Sequence, residues 1–198
     1  NSMKNILITG GLGYIGSSLM KQLDFKNVNK IVIVDLDLFH TEEKLKNLFK
    51  KKNAESKVIV KKINFGNTIA LDKIFKKHKI NIVIHLGGLV GDPACAFNIQ
   101  LTKKINTIAT NELVDLSVKH GVVKFIYAST CSVYGINEKL CSENTEPKPI
   151  SEYARSKLEG EIKLHSVKDK LDEIIILRFS TLYGVSERIR FDLVANLF

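Results

Sequence analysis

"TGGLGYIGSSL" (Thr9–Leu19) follows the apolar run "KNILIT" (Lys4–Thr9) and leads into residues of helical period. Gly10, Gly13 and Gly16 stand in it as G-x-x-G-x-x-G. Glycines at this spacing allow a tight turn out of a strand, close backbone approach to a pyrophosphate, and close packing of the next helix. That helix N-terminus then offers N–H groups and the positive end of its dipole to phosphates. Tight helix–sheet packing alone also selects small residues, so the context decides. Asp35 closes the next apolar run, "KIVIVD" (30–35), about 20 residues on, where a carboxylate would hold a ribose 2′-hydroxyl. Such a carboxylate repels a 2′-phosphate, and Leu36, Asp37 and Leu38 supply no arginine to receive one. The expected cofactor is therefore NAD rather than NADP.

Four more runs rich in Ile and Val follow: "SKVIVK" (56–61), "NIVIHL" (81–86), "VKFIYAS" (123–129) and "EIIILRF" (173–179). Each is nearly continuous rather than alternating, as in strands buried on both faces of a parallel sheet. Amphipathic segments of helical period lie between them: "YIGSSLMKQLD", "TEEKLKNLFKK", "ALDKIFKKH", "TKKINTIATNELVDLSVKHG" and "SEYARSKLEGEIKLHS". Alternating strand and helix predict an α/β fold, a doubly wound (Rossmann), mostly parallel sheet with helices on both faces.

At 198 residues the chain is one domain, or one and part of another. No apolar run reaches the roughly 20 residues of a membrane span, and no signal peptide is expected from the opening residues. Asn1 and Ser2 before Met3 resemble a vector remnant. Cys95, Cys131 and Cys141 are scattered and odd in number, which indicates neither a disulfide framework nor a metal site and fits a reducing, cytoplasmic setting. The net charge of +9 comes mostly from lysines, with no aromatic residues interleaved as stacking platforms. That argues against nucleic acid as partner and suits an acidic ligand such as a dinucleotide or nucleotide-sugar.

"SEYARSK" (Ser151–Lys157) sets Tyr153 one helical turn before Lys157, so the two share a helix face. Alone, the pair reads as a tyrosine ring resting on a lysine stem at the surface. "YASTCSVYG" (Tyr127–Gly135), however, places Ser129 and Thr130 just beyond the fifth strand, at the carboxyl end where open α/β sheets hold ligands. A hydroxyl from Thr130 or Ser129 can then converge with Tyr153 and Lys157 on a nicotinamide across the first and fourth strands. Tyr153 becomes the acid/base for a substrate hydroxyl. Its pKa is expected to fall from about 10 under the influence of Lys157 and a cationic nicotinamide.

With these motifs the chain resembles the extended short-chain dehydrogenases/reductases, in the NAD-dependent sugar epimerase/dehydratase family of which UDP-glucose 4-epimerase is the familiar member. "TGGLGYIGSSL", "VD" at the second strand end, "HLGGL", "STCSVYG", "YARSK" and "RFSTLYG" carry the resemblance over essentially the whole chain. It implies that Tyr14 and Ile15 line the pyrophosphate and that Asp35 binds the adenosine ribose. Asn64 and Phe65 would lie beside adenine. Leu86, Gly87, Gly88, Leu89 and Asn106 would flank the cofactor. Thr130, Tyr153 and Lys157 would form the catalytic set, with Lys157 also on the nicotinamide ribose. The implied reaction is oxidation of a nucleotide-diphosphate sugar to a transient ketone and its return from the other face. Net redox on the sugar, or a non-catalytic NAD(H) sensor, are the alternatives.

The chain departs from the family at several points. Asn64 replaces an Asp, and Thr181 an Asn that faces substrate. Cys131 and Ser132 stand where sugar 4,6-dehydratases carry an Asp–Glu pair, which disfavours elimination of water. With no histidine near in sequence, Cys131 is expected to be buried packing rather than a nucleophile, and His85 a satisfied core histidine. Arg188 and Arg190 either grip a diphosphate or sit on the surface. The expected organisation is a cofactor domain over residues 3–184, with 185–198 as the start of a truncated substrate lobe and a helix beginning at Phe191. The truncated chain is expected to be weak in substrate binding. The family further implies a homodimer through the helices of 102–121 and 151–166.

Overall fold

The structure, a computed structural model, describes residues 3–188 and 190. Asn1, Ser2 and the helix expected from Phe191 lie outside the described residues, as does most of the expected substrate lobe. The order is β1 (Lys4–Thr9), α1 (Tyr14–Gln22), β2 (Val28–Asp35), α2 (Thr41–Lys51), β3 (Val58–Lys62), α3 (Thr68–His78) and β4 (Ile82–His85). There follow α4 (Asp92–Phe97), α5 (Ile99–Thr102), α6 (Ala109–Lys119), β5 (Lys124–Thr130), α7 (Glu152–Ser166) and β6 (Glu173–Phe179). Among the described residues the strands form one parallel sheet in the order β3-β2-β1-β4-β5-β6. The chain reverses direction across the sheet between β1 and β4, so their carboxyl ends frame the crevice in which such sheets bind ligands.

Two cores flank the sheet because successive strand residues face opposite sides. Ile6, Ile8, Ile31 and Ile33 pack with Met20, Leu45 and Phe49 of α1 and α2. Leu7, Val32, Val83 and Phe125 pack with Phe75, Leu113 and Leu164 of α3, α6 and α7. Each such side chain contributes about 1.5–3 kcal/mol on burial. Central strands β1 and β2 are buried on both faces, as their continuous apolar runs predict, whereas the edge strands β3 and β6 remain half-exposed.

Local signals set the helix ends. Ser151 Oγ accepts from Ala154 N at the start of α7, and Asn67 Oδ1 accepts from Ala70 N at the start of α3. Glu42 and Glu43 in the first turn of α2 and Lys50 and Lys51 in its last complement the helix dipole. The segment 102–121, expected as one helix, is interrupted. A π-helical stretch, Lys103–Ile108, separates α5 from α6 and carries Asn106. Such wide turns recur at functional sites. Among the described residues no helix is long and apolar enough to cross a membrane.

Candidate active site

A cleft of about 760 Å³ opens along the carboxyl ends of the strands, within the size range of small-molecule and cofactor sites. Its floor at one end is the turn between β1 and α1. Gly10 adopts φ +66°, and a Cβ there would stand 2.7 Å from Gly87 Cα. A Cβ on Gly16 would stand 2.4 Å from Gly11 O. These two positions therefore require glycine, for the bend and for the seating of α1 on the sheet. Gly13 heads α1 and brings no side chain to its first amides, which leaves a phosphate-sized position at a helix N-terminus. Tyr14 and Ile15 line the same end.

Asp35 reaches this turn from the end of β2. Its Oδ2 accepts from Leu12 N at 3.0 Å and its Oδ1 from Asp37 N at 2.9 Å. Both oxygens retain acceptor capacity on the cleft side. Asn64, Phe65, Leu86, Gly87, Gly88 and Leu89 form the opposite wall. Asn64 Oδ1 is engaged by Gly66 N at 2.8 Å, and the Phe65 ring meets His85 edge-on.

Tyr153, Lys157, Thr130, Cys131 and Ser132 line the other end. Ser151 caps α7, so Tyr153 lies in its first turn and Lys157 one turn on, facing β5. The Lys157 ammonium is buried, donates to Ala128 O at 2.9 Å and lies 5.1 Å from the Tyr127 ring centroid. Burial lowers its pKa to about 8. The Tyr153 side chain hydrogen-bonds Thr130, yet burial and then the neighbouring Cys95 push its pKa up to about 12. The expectation of a lowered value joined Lys157 to a cationic nicotinamide; in the chain alone burial outweighs the neighbouring groups. The groups that oppose burial at Tyr153 are Arg190 and Thr130.

His85 is the satisfied core histidine that was expected. Its Nδ1 lies 2.5 Å from Thr9 Oγ1, its Nε2 2.8 Å from Thr110 Oγ1, and the ring stacks on Tyr127. Burial and then Lys157 lower its pKa to about 3, so it stays neutral.

Two predicted positions, Asn106 and Cys131, differ from expectation. Asn106 does not line the cleft. It is buried in the π-helical stretch, accepts from Leu89 N at 2.8 Å and donates to Leu89 O at 2.9 Å and Ser156 Oγ at 3.1 Å. It thus fixes the loop after β4 against α7. Ser129 lines the cleft as expected, and its hydroxyl donates to Glu161 Oε1. Cys131 is exposed on the cleft wall rather than buried, because the chain leaves β5 in a short 3-10 turn, Cys131–Tyr134, that turns this side chain outward.

The sequence reading missed what anchors the site. Glu161 is buried, and Arg178 of β6 donates to it through Nε at 3.1 and 3.2 Å and through Nη2 at 2.6 Å. Arg178 also lies over the Tyr134 ring, 4.8 Å from its centroid. The available signal was the spacing Tyr153, Lys157, Glu161, which continues one helix face. A second anchor had no local signal. The Tyr14 hydroxyl donates to Gly184 O at 2.8 Å, and Ser186 Oγ lies 2.7 Å from Ser17 Oγ and 2.9 Å from Tyr14 O, which ties 184–186 to α1. Arg188 and Arg190 both line the cleft, and Arg188 stacks 4.0 Å from the Phe39 ring centroid.

Known proteins resemble this chain in sequence and in fold. The chain is 31% identical over 195 residues to a Bacillus subtilis protein described as an uncharacterized UDP-glucose epimerase, covering 92% of this chain and 58% of that one. It is 32% identical over 198 residues to the dTDP-D-glucose 4,6-dehydratase of Dictyostelium discoideum, covering 92% and 44%. The crystal structure of UDP-glucuronic acid 4-epimerase from Bacillus cereus, in complex with UDP-glucuronic acid and NAD, superposes with a TM-score of 0.83. Identity there is 29%, over 97% of this chain and 60% of that one. The chain thus spans about half the length of the relatives it matches. Residues 6–195 match the family described as NAD dependent epimerase/dehydratase. A match of that extent settles the kinship: the chain belongs to the NAD-dependent epimerase/dehydratase family.

Proposed function

We propose that this chain is the cofactor-binding and catalytic part of an NAD-dependent epimerase acting on a nucleotide-diphosphate sugar. The observation that carries the reading is one continuous cleft with the glycine turn and Asp35 at one end and Thr130, Tyr153 and Lys157 at the other. The α1 N-terminus and Gly10–Gly16 hold the pyrophosphate, Asp35 the adenosine ribose, and Lys157 the nicotinamide ribose. When bound, NAD supplies the hydride acceptor and donor for the sugar carbon. Tyr153 takes the proton of the sugar hydroxyl and later returns it, while Thr130 hydrogen-bonds the reacting oxygen. Oxidation to a transient ketone followed by reduction from the other face inverts that carbon. At about 12 the phenol is almost wholly protonated near neutral pH, so Tyr153 would serve as base only where a charged Lys157 and bound NAD lowered that value.

Epimerisation is favoured over dehydration because elimination of water needs an acid and a base beside Thr130, and the residues there are Cys131 and Ser132. The molecule is a homodimer through the π-helical stretch, α6 and α7, where Ile108 and Ile162 are exposed at 51% and 59%. Thermal unfolding with NAD and with NADP tests the cofactor. Saturation at about 100 times Kd adds ~2.7 kcal/mol, a shift of several degrees at this size. Tyr153→Phe should keep that shift and lose turnover of UDP-glucose or its C4 epimer. No shift with NAD, or a Tyr153→Phe variant that turns over as wild type does, defeats the reading.

A further inference from the structure

The cofactor assignment rests on Asp35, yet the structure surrounds that residue with a second charged arrangement. Lys62, the last residue of β3, is the register partner of Asp35 on the neighbouring strand. An ammonium there is where a 2′-phosphate on the adenosine ribose would find its counter-charge. Lys62 is instead held from the other side. Its Nζ lies 2.9 Å from Asp37 Oδ2 and 3.0 Å from Glu42 Oε2. Asp37 is built for this contact. It adopts φ +52°, its carboxylate is buried, and Oδ1 accepts from Glu42 N at 3.2 Å. Oδ2 is buried, and its partner is the Lys62 ammonium. Its backbone N–H meanwhile donates to Asp35 Oδ1, which orients the ribose-binding carboxylate. Asp37 also lines the cleft.

We propose that Asp37 is a second determinant of cofactor choice, holding Lys62 with Glu42 away from the ribose 2′ position and adding its own charge against a 2′-phosphate. The inference rests on the reading that the cleft binds NAD. With Asp37 ionised, Lys62 is neutralised twice over. With Asp37 uncharged, Lys62 keeps only the half-exposed Glu42 and can turn toward a dianionic phosphate. Asparagine suits the test, because it tolerates the left-handed backbone and can still accept from Glu42 N.

Calorimetric titration of NAD and NADP onto wild type, Asp37→Asn and Asp37→Asn/Lys62→Met decides the matter. In Asp37→Asn the ratio of Kd for NADP to Kd for NAD should fall about tenfold, the scale of one removed charge and one released counter-charge near a surface. Lys62→Met in the same chain should restore the wild-type ratio. Glu42→Gln should move the ratio the same way by about threefold, which keeps the test open if Asp37→Asn does not fold. An unchanged ratio in Asp37→Asn overturns the proposal. So does a fall that survives Lys62→Met, which would assign the phosphate to another cation, such as Arg188 on Phe39. Wild type that binds no NAD discards the parent reading and this one together, whereas NAD binding with an immovable ratio discards this one alone.

Discussion

Removing Glu161 should destabilise the fold more than removing either half of the Tyr153–Lys157 pair. Glu161 is 1% exposed. It receives three contacts from the Arg178 guanidinium and the Ser129 hydroxyl, joining α7 to β5 and β6 at one point. In Glu161→Ala, Arg178 stays partly buried with no counter-charge, although its Nη1 already lacks a partner. Breaking a buried pair from one side costs about 3–5 kcal/mol. For a domain of this size each kcal/mol moves Tm by about 2–4 °C, so the melting temperature should fall by roughly 6–20 °C. Because the cost is that of an orphaned charge, Glu161→Leu/Arg178→Met should recover most of it, ending within about 1–2 kcal/mol of wild type. Urea unfolding of Glu161→Leu, Arg178→Met and the double variant gives the coupling directly. A loss below about 1 kcal/mol in Glu161→Ala, or a double variant no better than the worse single, would refute the account of α7 as pinned by this pair.

Other consequences are as direct. Gly16→Ala drives a Cβ to 2.4 Å from Gly11 O; it should cost about 1–3 kcal/mol in urea unfolding, and the NAD-induced thermal shift should disappear. Lys157 falls from 10.5 to about 8 on folding, so between those values the unfolded chain holds a proton that the folded chain has released, and stability rises with pH there. Lys157→Met should flatten that rise between about pH 8 and 9.5, and parallel curves for variant and wild type would contradict it. Above about pH 10 the sign reverses for Tyr153, whose folded pKa is raised, and its contribution is lost as pH climbs toward about 12. Ile108→Glu with Ile162→Glu should convert the proposed dimer to monomer in light scattering while leaving NAD binding intact.

Strands and helices were legible because their signals are local. The continuous apolar runs match β1 and β6 to the residue, and the long helix failed only where a π-helical stretch widened it at Lys103–Ile108. The glycine turn, Asp35 and the Tyr153–Lys157 pair were legible for the same reason, since spacing along one chain fixes which groups share a turn or a helix face. Asn106 shows where that logic stops. The family resemblance alone places it beside the cofactor; its partner, Leu89, stands in the loop after β4, and the side chain ties that loop down.

By itself, then, the amino-acid sequence determined the alternation of strands and longer helices, the parallel sheet and the two ends of the cleft, though not α4 or the π-helical stretch. Only the tertiary structure decided what surrounds them. It set Glu161 against Arg178, Lys62 against Asp37 and residues 184–186 against α1, and it left Cys131 exposed. It also decided charge: Tyr153, Lys157 and His85 all shift by burial, and burial belongs to how distant segments pack rather than to any stretch of chain.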